Sequence, residues 1–562
     1  MLVEASSLQN RHHRFDSGRR LHLLHLLVNG LTGYKPPMRR AVPIILALEI
    51  ALLGFAYLYF CHRAGPFGFP LDDSWIHAHF ARNIAEGRGI VYNPGQHVTS
   101  TAMLYSLLLA GLYAVTKAAI ANAIALGLAL HFAGAILVYM TGRRLSLSPI
   151  LAASAAVFFA AIPRLVWGAL SGMEIPLYVF LVCLGLYWHV RYTWRDGAWA
   201  YLPTLAFGLA ALARPECAAF VVCSLADRLL NYLRFGRKDY HWLRVAKAVP
   251  VHVALFCAVV APVALYNLSS YGKPLPPAYY AKTRQISAPK AAGGKLSADI
   301  SKTALYMNET ATVVRRDNVI LYVLLIPGLV ACFAAARKAD NRGVMILPTA
   351  LLFIPLATAF AAPMGPHRSL AQLMAQHGRY SAYLCPLLVL IGVLGVSYVR
   401  DLLSLSQRRW PGRAFAAGIL AVTGVLLATS NWAGAHRYGL EVQNINDMQV
   451  AFGKWAASLP KDTVVAVNDA GAVPYFSRLR IIDTVGVVNP EVLPYLSRYD
   501  DREPGLLEYL QERRPQYVII FPNWYKHIAR RRDILHPVKS IKLEHNLVCG
   551  GPEMIAYRAS WR

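Results

Sequence analysis

The stretch "PLDDSWIHAHFARNIAEGRGIVYNPG" (Pro70–Gly95) sets two adjacent aspartates, two histidines and an Arg-Asn pair a few residues after the first long apolar run of the chain. Pro70 followed by Asp is a helix-start signal, and "DDSWIHAHFARNIAEG" reads as a helix closed by Gly87. One aspartate suffices to cap such a helix, and a second favours its positive N-terminal dipole. That reading leaves the company of Trp75, His77 and His79 without a reason. The alternative makes one of Asp72 and Asp73 a general base that takes a proton from an incoming hydroxyl.

Outward from that stretch the chain is strongly apolar. Of 562 residues, 56% are hydrophobic and 15% charged, with a mean hydropathy of +0.37; soluble domains carry about 25% charged residues. Candidate spans lie near 41–61, 101–116, 119–140, 148–165, 175–191, 199–213, 216–232, 248–268, 319–336, 344–362, 380–399 and 413–430. Runs of this kind define a polytopic α-helical membrane protein and exclude a barrel, whose strands alternate in polarity. The net charge of +27 sits mainly in short loops, where it is topogenic and calls for no nucleic acid. None of the eight cysteines forms a CxxC pair, so neither a disulfide framework nor a thiolate metal site is indicated. Residues 1–40 form a basic tail without a cleavable Ala-x-Ala pattern, and the run after Arg40 reads as a retained first span.

From Arg143 onward, loops rich in Arg and Lys alternate with loops poor in them, and the basic class matches the basic N-terminus. One net crossing between Asp72 and Arg143 then remains, and the short run 101–116 is set aside as a juxtamembrane helix. The count becomes about eleven spans, with a cytoplasmic N-terminus and a C-terminal region outside, periplasmic in a bacterium. This puts on one outer face the loop 62–118, "LSGMEIP" (170–176), "ARPE" (213–216), the loop 269–318, "MGPHRSLAQLMAQHGRY" (364–380) and everything after about 437. The chain divides into the tail 1–40, a membrane domain 41–436 and a soluble domain 437–562. In the last, "DTVVAVND", "RIIDTVG" and "QYVIIFP" are β-rich and "PGLLEYLQERRP" is helical, the pattern of a small α/β domain with a mainly parallel sheet.

Several outer-face residues could carry chemistry. Glu174 stands where a span meets that face, and Arg214 and Glu216 either pair with one another or serve a site. Asp73 and His77 share a helix face and could, with Glu174, bind a divalent cation; interfacial hydrogen bonding is the favoured reading of His77 and His79. Lys282 and Arg284 in "PPAYYAKTR", and His377 and Arg379 in "QHGRY", could hold a phosphate or snorkel to lipid headgroups. Tyr279 and Tyr380 beside them offer hydroxyl donors. Asp469 and Asp483 could lie at strand ends near a glycan or be ordinary turn residues.

Taken in order, "DDSWIHAHFARNIAEGRGIVYNPGQHVTSTAMLYSLLLA", "SGMEIPLY", "RPE", "PLPPAYYAKT" and "HGRY" resemble the GT-C-fold membrane glycosyltransferases. The nearest branch is the terminal β-(1→2) arabinofuranosyltransferases and their bacterial relatives. The resemblance covers roughly residues 41–400 and implies an inverting transferase with a polyprenyl-phosphate-linked sugar as donor. It implies an essential aspartate at Asp72 or Asp73, a second acidic position at Glu174, and phosphate contacts from Lys282, Arg284, His377 and Arg379; Tyr380, Tyr279 and His77 complete the set of substrate-binding candidates. It leaves open a divalent cation. The acceptor would be a cell-envelope glycan, a lipid-linked glycan or a protein. Where relatives read "VEGYTSPLW" this chain has "VTSTAMLYS", which removes the ground for assigning arabinofuranose as the sugar. The competing reading is a transporter or flippase of lipid-linked sugars, which would show internal repeats or broken midplane spans.

Overall fold

A computed structural model describes residues 36–192, 197–239, 242–284, 294–337, 343–361, 375–405 and 410–561. Most of the basic tail and the segment 364–374 therefore lie outside the described residues. Among the described residues, six helices are long and apolar enough to cross a membrane: Arg40–Ala64, Ala119–Arg144, Ile175–Tyr192, Ala248–Tyr271, His377–Leu403 and Trp410–Ala456. A seventh crossing would join Pro149–Ala160 to Pro163–Leu170 across a 55° bend, where extended Ile162 precedes a proline. Ala198–Ala213, Leu325–Ala335 and Ile346–Ala359 are apolar but shorter, and Ala219–Asp239 carries Asp227 and Arg228. Six or seven of the about eleven expected spans thus meet the demands of a crossing on length and composition. Helix Met103–Thr116 has 14 residues, about 21 Å against a hydrocarbon core of about 30 Å.

The last long helix does not stop near residue 430. Trp410–Ile445 passes through a π-helical turn, Asn446–Val450, into Ala451–Ala456, so one continuous rod enters the C-terminal domain. That domain holds a five-stranded sheet: β1 Val464–Val467, β2 Arg480–Asp483, β3 Tyr517–Ile520, β4 Leu535–Lys542 and β5 Glu553–Ala559, in the order β2-β1-β3-β5-β4. β1 pairs in parallel with β2 and β3, whereas β5 is antiparallel to both β3 and β4. The sheet is therefore mixed. Its parallel half coincides with the three apolar runs read from the sequence. The β4–β5 half was not read, because β4 exposes most of its side chains and lacks an apolar run.

Period-two alternation gives this sheet two apolar faces. Ala466, Ile482, Val518 and Ile520 pack under Leu506, Tyr509 and Leu510 of helix Arg502–Arg513. Val465, Val467, Ile481 and Ile519 pack in one core with Ile76, Phe80, Tyr92 and Val98. The stretch after the first span is thus built into the C-terminal domain, although nearly 400 residues separate them in sequence.

Candidate active site

Helix Asp72–Ala85 organises the site through its periodicity. At about 100° per residue, Asp72, Trp75, His79 and Arg82 fall on one side, and Asp73 and His77 roughly opposite.

The first side grips the C-terminal domain. Both carboxylate oxygens of Asp72 accept backbone N–H bonds, from Gly471 at 2.7 Å and Ala472 at 2.8 Å. These amides open the turn between β1 and helix Ala472–Ser477. A Cβ at position 471 would collide with the Asp72 carbonyl, so glycine is required there. Burial, then the neighbouring Asp469, push the Asp72 carboxyl well above its usual range; the Ala472 amide, Asp73 and the Gly471 amide are smaller influences of mixed sign. Trp75 is buried among Phe69, Tyr475 and Phe476, worth about 2–3 kcal/mol of apolar burial. Arg82 donates to the Tyr475 carbonyl at 2.5 Å and lies over that ring. Asn93 forms a two-point amide contact with the backbone of Ile481, at 2.8 and 2.9 Å.

The second side faces a cavity of about 120 Å³ lined by Asp73, His77, Ser100, Glu174, Arg214, Arg379 and Tyr380, among others. Asp73, its side chain 45% exposed, accepts from Arg379 at 2.6 Å through Oδ2. Glu174 lies between His77 Nε2 and an Arg214 nitrogen, each at 3.3 Å. Burial alone would raise the Glu174 carboxyl, but His77 and Arg214 outweigh it and hold it well below the usual range. The His77 contact has ion-pair distance without hydrogen-bond alignment, so Glu174 Oε2 is buried with no hydrogen-bond partner. Nε and one terminal nitrogen of Arg214, and Nε of Arg379, share that condition. Arg214 also lies over the Tyr380 ring at 4.5 Å. Buried, under-satisfied cations and one carboxylate around an open volume suit an anionic, hydroxyl-bearing ligand.

The turn carrying Arg379 is fixed from behind. Arg164, paired with Asp317 at 2.5 Å, donates to the Gly378 carbonyl and the Ser381 hydroxyl. Tyr178 donates to the Arg379 carbonyl at 2.6 Å. Gly378 adopts φ +62°, and a Cβ there would press on Val313.

Not every expected residue arrives. His377 has φ +60°, which turns its ring onto Trp167 at 4.4 Å and into a 2.9 Å contact with Glu441; it is a strut for the turn and does not line the cavity. Tyr279 is absent from the cavity lining because its helix, Pro277–Arg284, packs through Ala281 on the opposite face of the sheet. Lys282 and Arg284 end that helix, with side chains outside those described. Asp73, His77 and Glu174 do not converge as a three-ligand metal site: Asp73 turns to Arg379. Among the described residues, the group whose ligand atoms lie within 4.8 Å of one another is Asp501, Glu503 and His527, and two Glu503 contacts already go to backbone amides. Ser100 and Ser106 were missed by sequence reading. They form a chain to His77 Nδ1, at 2.9 and 3.2 Å, and belong to the segment that departs from the family pattern.

Asp73 also lines a second cavity, of about 200 Å³, under the C-terminal domain, with Gln449, Asn468, Asp469, Asp483 and Trp524. Asp483 ends β2 and accepts the amides of Val485 and Val488. Asp469 follows β1 and accepts from Gln449 and Asn468.

This architecture is that of the GT-C membrane proteins. The chain is similar over 92% of its length to ArnT from Cupriavidus metallidurans bound to undecaprenyl phosphate, covering 97% of that chain at 13% identity and TM-score 0.53. It is similar over 87% of its length to the archaeal oligosaccharyltransferase AglB from Archaeoglobus fulgidus in complex with an inhibitory peptide and a dolichol-phosphate, covering 70% of that chain at 13% identity and TM-score 0.53. A match to arabinofuranosyltransferase AftD from Mycobacteria has 15% identity, covers 94% of this chain and 42% of that one, and at TM-score 0.37 carries no argument about branch. A domain of unknown function, DUF8728, matches residues 441–560. No curated protein sequence matches the chain.

Proposed function

We propose that the chain is an inverting glycosyltransferase of the cytoplasmic membrane. It moves a sugar from a polyprenyl-phosphate donor to a hydroxyl of an envelope glycan, a lipid-linked glycan or a protein on the outer face. The observation that carries this reading is the position of Asp73, shared by a cationic cavity and a polar one. The acceptor hydroxyl gives its proton to the Asp73 carboxylate, and its oxygen attacks the anomeric carbon opposite the phosphate. The carbon–oxygen bond to phosphate breaks, and its electron pair leaves with polyprenyl phosphate. Arg379 and Arg214 face the charge that develops there, a task for preorganised cations in a dry site. Glu174, His77 and the Ser100–Ser106 pair accept or donate to hydroxyls of the transferring sugar. ArnT with undecaprenyl phosphate and AglB with dolichol-phosphate supply the lipid-phosphate precedent on the same fold. Asp72 is assigned to domain docking, which leaves Asp73 as the base.

Purified protein in nanodiscs, given a panel of undecaprenyl-phosphate pentoses and hexoses with simple glycan acceptors, tests this. The expected result is acceptor-dependent release of undecaprenyl phosphate and a product of inverted anomeric configuration by proton NMR. Donor translocation across liposomes without release would overturn it in favour of a transporter.

A further inference from the structure

The polar cavity beyond Asp73 lies at a place where α/β sheets bind ligands. In such sheets the crevice opens outside the carboxyl ends of the strands, where the strand order reverses. Here the chain leaves β1 for β2 on one side and returns to β3 on the other, so the reversal falls between β1 and β3. Asn468 follows β1 and bridges the gap by accepting the Phe521 amide at 3.1 Å, just past β3. Asp469 and Trp524 stand beside this bridge in the lining of the cavity. Phosphate would use the amides of the first β–α turn, but those of Gly471 and Ala472 are occupied by Asp72. The cavity instead presents the carboxylates of Asp73, Asp469 and Asp483, and the amide groups of Gln449 and Asn468. Trp524 is 46% exposed, and its Nε1 is tied to the Gly550 carbonyl at 2.8 Å. The indole is therefore held while still accessible for stacking. A carboxylate offers about four acceptor positions, so Asp469 keeps capacity for hydroxyls beyond its bonds to Gln449 and Asn468.

We propose that this crevice binds the non-anionic terminal sugar of a glycan, stacked on Trp524 and hydrogen-bonded to Asp469, and discriminates against acidic sugars. The designation of this sugar as the acceptor rests on the transferase reading; the binding itself does not. At pH 8, where Asp469 is ionised, the facing carboxylates repel a uronate and attract an amine, whereas neutral hydroxyls donate to them without penalty.

The test uses the full chain in nanodiscs with no donor present. Saturation-transfer difference NMR is recorded at pH 8 with the methyl glycosides of glucose, glucosamine and glucuronic acid. Glucose and glucosamine are expected to bind, with glucosamine the tighter, and the glucuronide to bind at least about tenfold more weakly. Trp524→Ala and Asp469→Asn should each weaken the neutral sugar about tenfold, while Trp524→Phe should retain most binding. Asp469→Asn preserves the packing and carries the test where Trp524→Ala fails to fold. Equal binding of the glucuronide, binding unaffected by these variants, or binding of none of the three would overturn the proposal. Failure of undecaprenyl phosphate release would overturn the transferase reading and leave this binding result standing.

Discussion

Asp72 and Asp73 are adjacent in sequence and opposite in circumstance. Asp72 is buried against two backbone amides of a distant domain, whereas Asp73 is half exposed between two cavities and faces a guanidinium. One helical step, about 100°, separates a residue bound to the amides of a distant segment from one that lines both cavities. The same division runs along the helix: Trp75, His79 and Arg82 belong to the docking side and His77 to the cavity side. A conspicuous polar motif just after a candidate span is here mostly an interface, and the residues assigned chemistry in the proposed function lie on one stripe of it.

The comparison can be tested from its strongest consequence downward. Arg379→Lys keeps the charge but loses the fork that spans Asp73 and the cavity; kcat should fall on the order of 100-fold, measured by steady-state release of undecaprenyl phosphate. Asp72→Asn leaves one acceptor oxygen for two amides and turns an NH₂ toward a donor. It should destabilise the docked domain by about 2 kcal/mol, read by hydrogen exchange at residues 471–475. Tyr178→Phe removes the 2.6 Å bond to the Arg379 carbonyl and should cost about 1 kcal/mol, seen as a few-fold loss in kcat with the acceptor KM unchanged.

The smallest effect concerns pH. Burial, followed by Asp73 and Asp483, push the Asp469 carboxyl up to about 7 against its bonds to Gln449 and Asn468. A carboxyl raised on folding binds more protons in the folded state between its unfolded value, near 4, and about 7. Its contribution to stability is full below that window and is lost as pH rises through about 7. The native protein should therefore melt lower at pH 8 than at pH 5, and Asp469→Asn should shrink that difference by about 2 °C.

The helical membrane architecture was legible because spans announce themselves by length and composition. The parallel half of the sheet was legible because β1, β2 and β3 are continuous apolar runs. β4 was not, since its exposed, charged pattern resembles a loop. Asp73, Glu174 and Arg379 were legible as polar groups at the ends of apolar runs, and the structure brings them to one cavity. The different surroundings of Asp72 and Asp73 were hidden, because the partner amides of Gly471 and Ala472 lie about 400 residues away. His377 could be named from the sequence but not placed: its ring lies on Trp167 and against Glu441, contacts that join segments far apart in the chain. Ser100 and Ser106 were hidden because serines in a loop look alike until a buried histidine lies beside them.

The most direct measurement compares Asp72→Asn with Asp73→Asn in the same nanodisc preparation, reading kcat for sugar transfer together with hydrogen exchange across residues 471–475. A crossed outcome is predicted. Asp73→Asn should lower kcat by about 10²- to 10⁴-fold with exchange unchanged, while Asp72→Asn should accelerate exchange and retain most turnover at low temperature. Full turnover in Asp73→Asn, or loss of turnover in Asp72→Asn with its docking protection intact, would contradict the assignment of base and clamp.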